Sequence, residues 1–195
     1  MRVWLGASSI ALRLLAPYLA LAFFWCVLAN GWAAILAYHA QIVFWSRKSL
    51  RESLRLGGPG LLALPAAAIG PLVFLLLPAM TTQEVPAWLS AHGLSRPALL
   101  AMIPYFGILH PLLEQAYWAP LRARTRLAHP LFAGYHMLVL YPFLKLPWLV
   151  SSFAVLTAAS VLWRREASRS QGLATPIASH ILADLGIVLA AWFRS

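Results

Sequence analysis

Charge is the scarcest commodity in this sequence. Of 195 residues only 10% are Asp, Glu, Lys or Arg, and just five are acidic. Soluble domains carry roughly a quarter charged residues, so a water-facing shell around the whole chain is excluded. Cysteine occurs once, at Cys26, which rules out an intrachain disulfide and a zinc site built from thiolates. Inside an apolar run, that residue reads as a small packing side chain. The apolar stretches lack the alternation of barrel strands, which argues against a β-barrel. No basic stripe interleaved with aromatics is present, so a nucleic-acid partner is not expected. There is no internal repeat and no low-complexity tract.

What the sequence does contain is apolar: 62% of its residues are hydrophobic and its mean hydropathy is +0.76. Several charge-free runs are long enough to cross a bilayer. The expected fold is all-α, a polytopic transmembrane helical bundle of about six spans. Residues 1–195 then form one membrane-embedded domain, with helices and a surface segment in 1–96 and a motif-bearing core in 97–193. The first run, 14–45, fits either one long tilted helix or a helix broken near Asn30 and Gly31. The basic segment SRKSLRESLRLGG fits a helix lying on the membrane surface or a solvated loop. Further spans are expected over 61–77, from Pro97 to the RARTR cluster, and over 129–144, 147–163 and 173–193. Among the histidines outside the site argued below, His39 reads as interior or interfacial, His92 as solvated and His129 as interfacial.

Basic residues between the spans carry a topology signal. Segments 46–56, 122–126 and 164–169 hold ten of the fifteen Lys and Arg residues. The intervening connections hold only Arg96 and Lys145. This alternation fits the positive-inside rule with the three clusters cytoplasmic. A single first span would leave Arg2 and Arg13 on the outer side, against the rule, so an extra partial span near the N-terminus stays open.

Within this apolar background, three segments hold costly side chains. Between Pro97 and Leu121 the one formally charged residue is Glu114, in HPLLEQAYWAP. His136 lies in LFAGYHMLVL, and His180 with Asp184 in IASHILADLG. Ionisable groups at membrane depth face a protein interior or a wet cavity and mark function. Glu114 precedes Arg122 by eight residues, ~12 Å of helical rise, while His136 and His180 follow their basic clusters by ~10–15 Å. All three therefore fall in one layer of the cytoplasmic half. His110 and Glu114, Phe132 and His136, and His180 and Asp184 are each four apart and so share a helix face.

In order and placement these residues resemble the signature of the CPBP family, the CAAX-protease and bacteriocin-processing (Abi) membrane proteins. That signature is a Glu-Glu pair followed by Arg, then FxxxH, then HxxxN or HxxxD. Here the motifs read EQAYWA from Glu114, FAGYH from Phe132 to His136, and HILAD from His180 to Asp184. Gln115 stands at the second glutamate and Ala119 at the arginine, and Arg122 is not a helical equivalent of that arginine. The resemblance implies a metal-independent, glutamic-type intramembrane endopeptidase without a cofactor. Glu114 would activate water as general base, with His136 holding that water. His180 would donate to the oxyanion, assisted by Asp184 in place of an asparagine. His110, Gln115 and Phe132 would support the site or the substrate.

The partners implied are a membrane-associated peptide or protein substrate and the lipid bilayer, in the cytoplasmic membrane of a bacterium. Two other readings use the same residues. A non-catalytic pseudoprotease or immunity-type protein would bind a peptide there. A metal-binding membrane protein would use His110, Glu114, His136, His180 and Asp184 as ligands, although no HExxH, GxSG or GxGD motif is present.

Overall fold

The computed structural model describes residues 7–47 and 61–195. The basic segment between them, expected as a surface helix or loop, lies outside the described residues. The described chain is all-α, and its one element of strand pairing is an isolated antiparallel bridge between Thr81 and Leu144. Among the described residues, five helices are long and apolar enough to cross a membrane: Ser9–Val27, Ala63–Met80, Arg96–Arg124, Leu146–Ser170 and Ala174–Phe193. This is a membrane-embedded helical bundle.

The first apolar run is a hairpin, the broken alternative. Helix α1 (Ala7–Leu21) continues through a π-turn, Ala22–Val27, and α2 begins afresh at Gly31–Ser46. The break is local chemistry. Ala29 takes a left-handed φ of 47°, and the extended Asn30 caps α2 by accepting from the Ala33 N–H at 2.9 Å. A β-carbon at Gly31 would lie 2.7 Å from Leu94, so this turn also packs closely. Chain reversal returns Arg13 to the end where α2 finishes, its guanidinium over the Trp45 ring. Arg13 therefore joins the basic end, which removes the conflict that a single first span would create.

A 3₁₀ stretch, Leu61–Ala68, runs into α3 (Ile69–Met80). Pro71 thus falls in the first α-helical turn, where a missing N–H costs little. The short α4 (Val85–Ala91) follows, and then α5 (Arg96–Pro104), capped by Ser95. A π-turn, Tyr105–Leu109, joins α5 to α6 (His110–Arg124). At this turn Gly107 lets α9 (Ala174–Phe193) approach, since a β-carbon there would lie 3.0 Å from the Leu185 backbone. One residue on, Gly186 touches Gly70 of α3, with an added β-carbon 2.7 Å from the Gly70 Cα. Three helices are therefore clamped one and two residues beyond Asp184.

Two expected boundaries move. The span proposed over 129–144 is a 13-residue helix, α7 (Ala128–Leu140), about 20 Å of rise and short of the ~30 Å hydrocarbon core. Its apolar run continues, but the chain turns at Tyr141 because partners across the fold capture it. The Thr82 N–H donates to the Phe143 carbonyl and the Lys145 N–H to that of Met80, each at 2.9 Å. Conversely, α8 (Leu146–Ser170) runs through the RREASRS segment expected as a turn. Those residues favour helix, Glu166 pairs with Arg169 at 3.4 Å, and the helix stops at Gln171 in the left-handed region.

The charge-poor connections meet at the end opposite Arg13 and Trp45. There His92 stacks on Trp25 at 3.9 Å, so it is packed rather than solvated. His129 is likewise buried, its Nδ1 3.0 Å from the Ser160 hydroxyl, and it ties α7 to α8 instead of facing the interface.

Candidate functional site

Helix α6 is the most enclosed element of the bundle. Glu114, Gln115, Ala116, Tyr117 and Trp118 are all 0% exposed. Three other helices bring polar groups to this helix at matched depth. Tyr38 of α2 lies eight residues before Ser46, and Tyr135 of α7 seven after Ala128. His180 of α9 follows Ala174 by six, and Glu114 precedes Arg122 by eight. Each interval is a rise of roughly 9–12 Å from the basic end. The single layer expected from spacing is therefore present, with tyrosines added to it.

Glu114 is held asymmetrically. Its Oε1 accepts from the Tyr38 hydroxyl at 2.5 Å and also from the Tyr135 hydroxyl. Tyr38 in turn accepts from the Trp118 indole N–H at 2.9 Å. The other carboxylate oxygen, Oε2, is buried and makes no hydrogen bond. It faces His180 Nε2 at 3.6 Å, and the same nitrogen lies 3.4 Å from Asp184 Oδ2. His110 Nε2 lies 3.6 Å from Glu114 Oε1 and 4.0 Å from Asp184 Oδ2. Of the residues expected to meet, Glu114, His110, His180 and Asp184 do.

His136 is placed differently. Its Nδ1 donates to the Phe132 carbonyl at 2.8 Å, and its ring stacks on Tyr135 at 4.1 Å. No hydrogen bond or ion pair joins it to Glu114; the direct bond from this helix to that carboxylate is made by its neighbour Tyr135. The physical reason is helical phase. One residue is ~100° of rotation, and α7 turns Tyr135 inward, leaving His136 half-buried at the edge. Phe132 is fully buried against Trp118, Trp163 and His180. It therefore supports the cluster and has no free surface for a substrate.

Arg122 is the largest departure from expectation. Counted with the cytoplasmic cluster, it is instead 1% exposed. Its guanidinium lies over the Phe132 and Trp163 rings, 5.3 Å from each centroid, a favourable setting for a desolvated cation. Its Nη1 donates to Gln115 Oε1 at 2.9 Å. The two residues are seven apart, almost two full turns, and so share a face. Gln115 Nε2 in turn lies 3.1 Å from His180 Nδ1.

A second chain of groups approaches from α2. The Tyr105 hydroxyl is 2.6 Å from His39 Nδ1, and His39 Nε2 is 2.8 Å from His110 Nδ1. Of the two readings for His39, interior or interfacial, the interior one holds, and it is also a member of the cluster. The π-turn at Tyr105–Leu109 precedes His110 directly; such bulges re-aim side chains and recur at functional sites. Among the described residues, no three His, Cys, Asp or Glu side chains form a group that could hold a metal ion. The imidazole nitrogens of His39 and His110 that face each other are taken up by their mutual bond. A surface hollow lined by Leu77, Pro78, Thr81, Glu84, Val85 and Arg194 is separate from this cluster.

No family model, curated protein or solved structure matches the chain. Its likeness to the CPBP family accordingly rests on the residues of three short motifs. What fold and site define together is a helical membrane protein with a carboxylate–imidazole cluster at its centre.

Proposed function

We propose that this chain is an intramembrane peptide hydrolase of the glutamic type, acting on a membrane-associated peptide near its basic end. By the positive-inside rule that end is cytoplasmic, and a bacterial cytoplasmic membrane is the setting the reading implies. The observation that carries the proposal is the division of labour within one carboxylate. Oε1 of Glu114 is committed to two tyrosine hydroxyls, whereas the buried Oε2 has no hydrogen bond and faces His180.

In this reading Oε2 takes a proton from water as the resulting hydroxide forms a bond to the peptide carbonyl carbon. His180 Nε2 meets the developing oxyanion, where a fixed donor lowers the barrier most. Glu114 then returns the proton to the leaving nitrogen as the C–N bond breaks. The two tyrosines hold the carboxylate in one orientation throughout. Asp184, whose side chain is 13% exposed, and the half-buried His136 form the edge from which a peptide would approach.

The test is cleavage of a single-span peptide library by the purified chain in lipid. Glu114→Gln and His180→Ala variants that still assemble should lose activity by at least ~10²–10³-fold, the usual worth of a general base or an oxyanion donor. Full activity in either rejects the proposal. The complete burial of Glu114 favours one other reading, a non-catalytic peptide-binding protein of immunity type. Biological activity that survives Glu114→Ala would select it.

A further inference from the structure

The motif departures at Gln115 and Ala119 leave a question that the hydrogen-bond directions answer. A guanidinium can only donate. Because Arg122 Nη1 lies 2.9 Å from Gln115 Oε1, that atom is the amide oxygen and the amide NH₂ is the group turned to His180. The NH₂ can only donate as well. His180 Nδ1, 3.1 Å away, therefore accepts and carries no proton. In the neutral ring the hydrogen is then on Nε2, the nitrogen 3.4 Å from Asp184 Oδ2 and 3.6 Å from Glu114 Oε2.

We infer that Arg122, acting through Gln115, is a positioning residue that locks His180 in the Nε2–H tautomer aimed at the two carboxyl groups. The opposite tautomer would set Nδ1–H against the amide NH₂, donor against donor, and turn a lone pair toward Glu114. Both conflicts lie among buried groups, where unpaired polar atoms cost most. Neither end of the lock rotates freely. The Arg122 guanidinium is wedged between Phe132 and Trp163, and Trp163 also stacks on the His180 ring at 4.7 Å. The lock also gives a physical role to Gln115. A glutamate there would offer oxygens to both neighbours, pair with Arg122 as an ion and accept a hydrogen bond from His180 Nδ1–H.

The tautomer itself follows from geometry alone, whereas its use in catalysis rests on the hydrolytic reading. The experiment is nitrogen NMR of the full chain in nanodiscs with ¹⁵N-labelled histidine, at a pH where the rings are neutral. The His180 signals are assigned by their loss in His180→Ala. The expected wild-type result is a His180 protonated at Nε2 alone. Gln115→Glu should move the proton to Nδ1, and Arg122→Met should give a mixture of tautomers. Arg122→Lys, which keeps a donor, should restore the Nε2–H form at least in part.

A wild-type His180 protonated at Nδ1 overturns the lock without any variant having to fold. So does an Nε2–H form unchanged in both Gln115→Glu and Arg122→Met. If the chain cleaves peptides, Arg122→Met should lower kcat at least tenfold with KM little changed. Absence of cleavage beside an Nε2–H His180 would reject the hydrolytic reading and leave the lock standing.

Discussion

Hydrogen bonds on the two sides of Glu114 differ in whether their direction is decided. On the α6–α9 side the chain Arg122, Gln115, His180 starts from a group that can only donate, and each later direction follows from it. On the α2 side the chain Tyr105, His39, His110 consists of a hydroxyl and two imidazoles, each able to donate or accept. Hydrogens can point from Tyr105 toward the carboxyl groups, leaving His110 Nε2–H facing them. They can equally point back toward Tyr105 when a carboxylic acid supplies the proton to His110. Low dielectric strengthens both chains, but only a donor-only anchor gives polarity. One side is built to hold a hydrogen in place, and the other is built to let one move.

The largest effect should come from removing the anchored side wholesale. In Gly186→Leu the new β-carbon would fall 2.7 Å from the Gly70 Cα, and neither backbone can yield by a rotamer change. Helix α9 must move away from α3 and carry His180 and Asp184 with it. Overpacking of this kind costs ~1–3 kcal/mol and occasionally more. The expected outcome is a marked fall in the unfolding midpoint of the purified protein in detergent, with the His180 Nε2–H signal lost. An unchanged midpoint would mean that the clamp does not position this side.

A smaller change should separate the two sides. Tyr105→Phe removes the outer hydroxyl of the α2 chain and leaves the ring contacts with Trp32 and His39 in place. Losing one partly buried hydrogen bond costs about 1 kcal/mol. The His39 and His110 nitrogen signals, expected to average two tautomers in wild type, should shift while those of His180 stay still. Movement of the His180 signals would mean that the two chains are coupled through Glu114 and Asp184.

Sequence patterning reached the anchored side and missed most of the other, for a physical reason. Glu114, His180 and Asp184 are conspicuous because charge in an apolar run is rare and costly. Tyr38 and Tyr135 are not conspicuous, since tyrosine is common in membrane helices and only rotational phase decides whether a hydroxyl faces in. The same phase turns Tyr135 to Glu114 and leaves the neighbouring His136 at the edge. Arg122 was visible but read as a topology charge, because it ends a helix beside Arg124 and Arg126. Its backward reach is a matter of i, i+7 geometry and of two aromatic faces brought from α7 and α8. The fold divides similarly. Long charge-free runs marked the spans, whereas for the first run a break at Asn30 and Gly31 was only one of two alternatives. The early end of α7 depends on hydrogen bonds to residues about 60 positions earlier, which no local pattern carries.

The smallest predicted effect on the His180 tautomer comes from a change at the committed oxygen of Glu114. Trp118→Phe keeps an aromatic ring beside Tyr135 and Phe132 but deletes the indole N–H that donates to Tyr38. Tyr38 still donates to Oε1, as does Tyr135, so the carboxylate keeps both of its hydrogen bonds. Interhelical hydrogen bonds in membranes average only ~0.6 kcal/mol, and the unfolding free energy should fall by about that much beyond the cost of the space left by the smaller ring at this buried position. The His180 tautomer should not respond, because nothing in the Arg122–Gln115 chain touches Trp118's nitrogen. A change of several-fold in the tautomer ratio would show that the orientation of Glu114, not the guanidinium, sets the direction of the anchored side. The contrast between the two sides would then reduce to how firmly each holds one shared carboxylate.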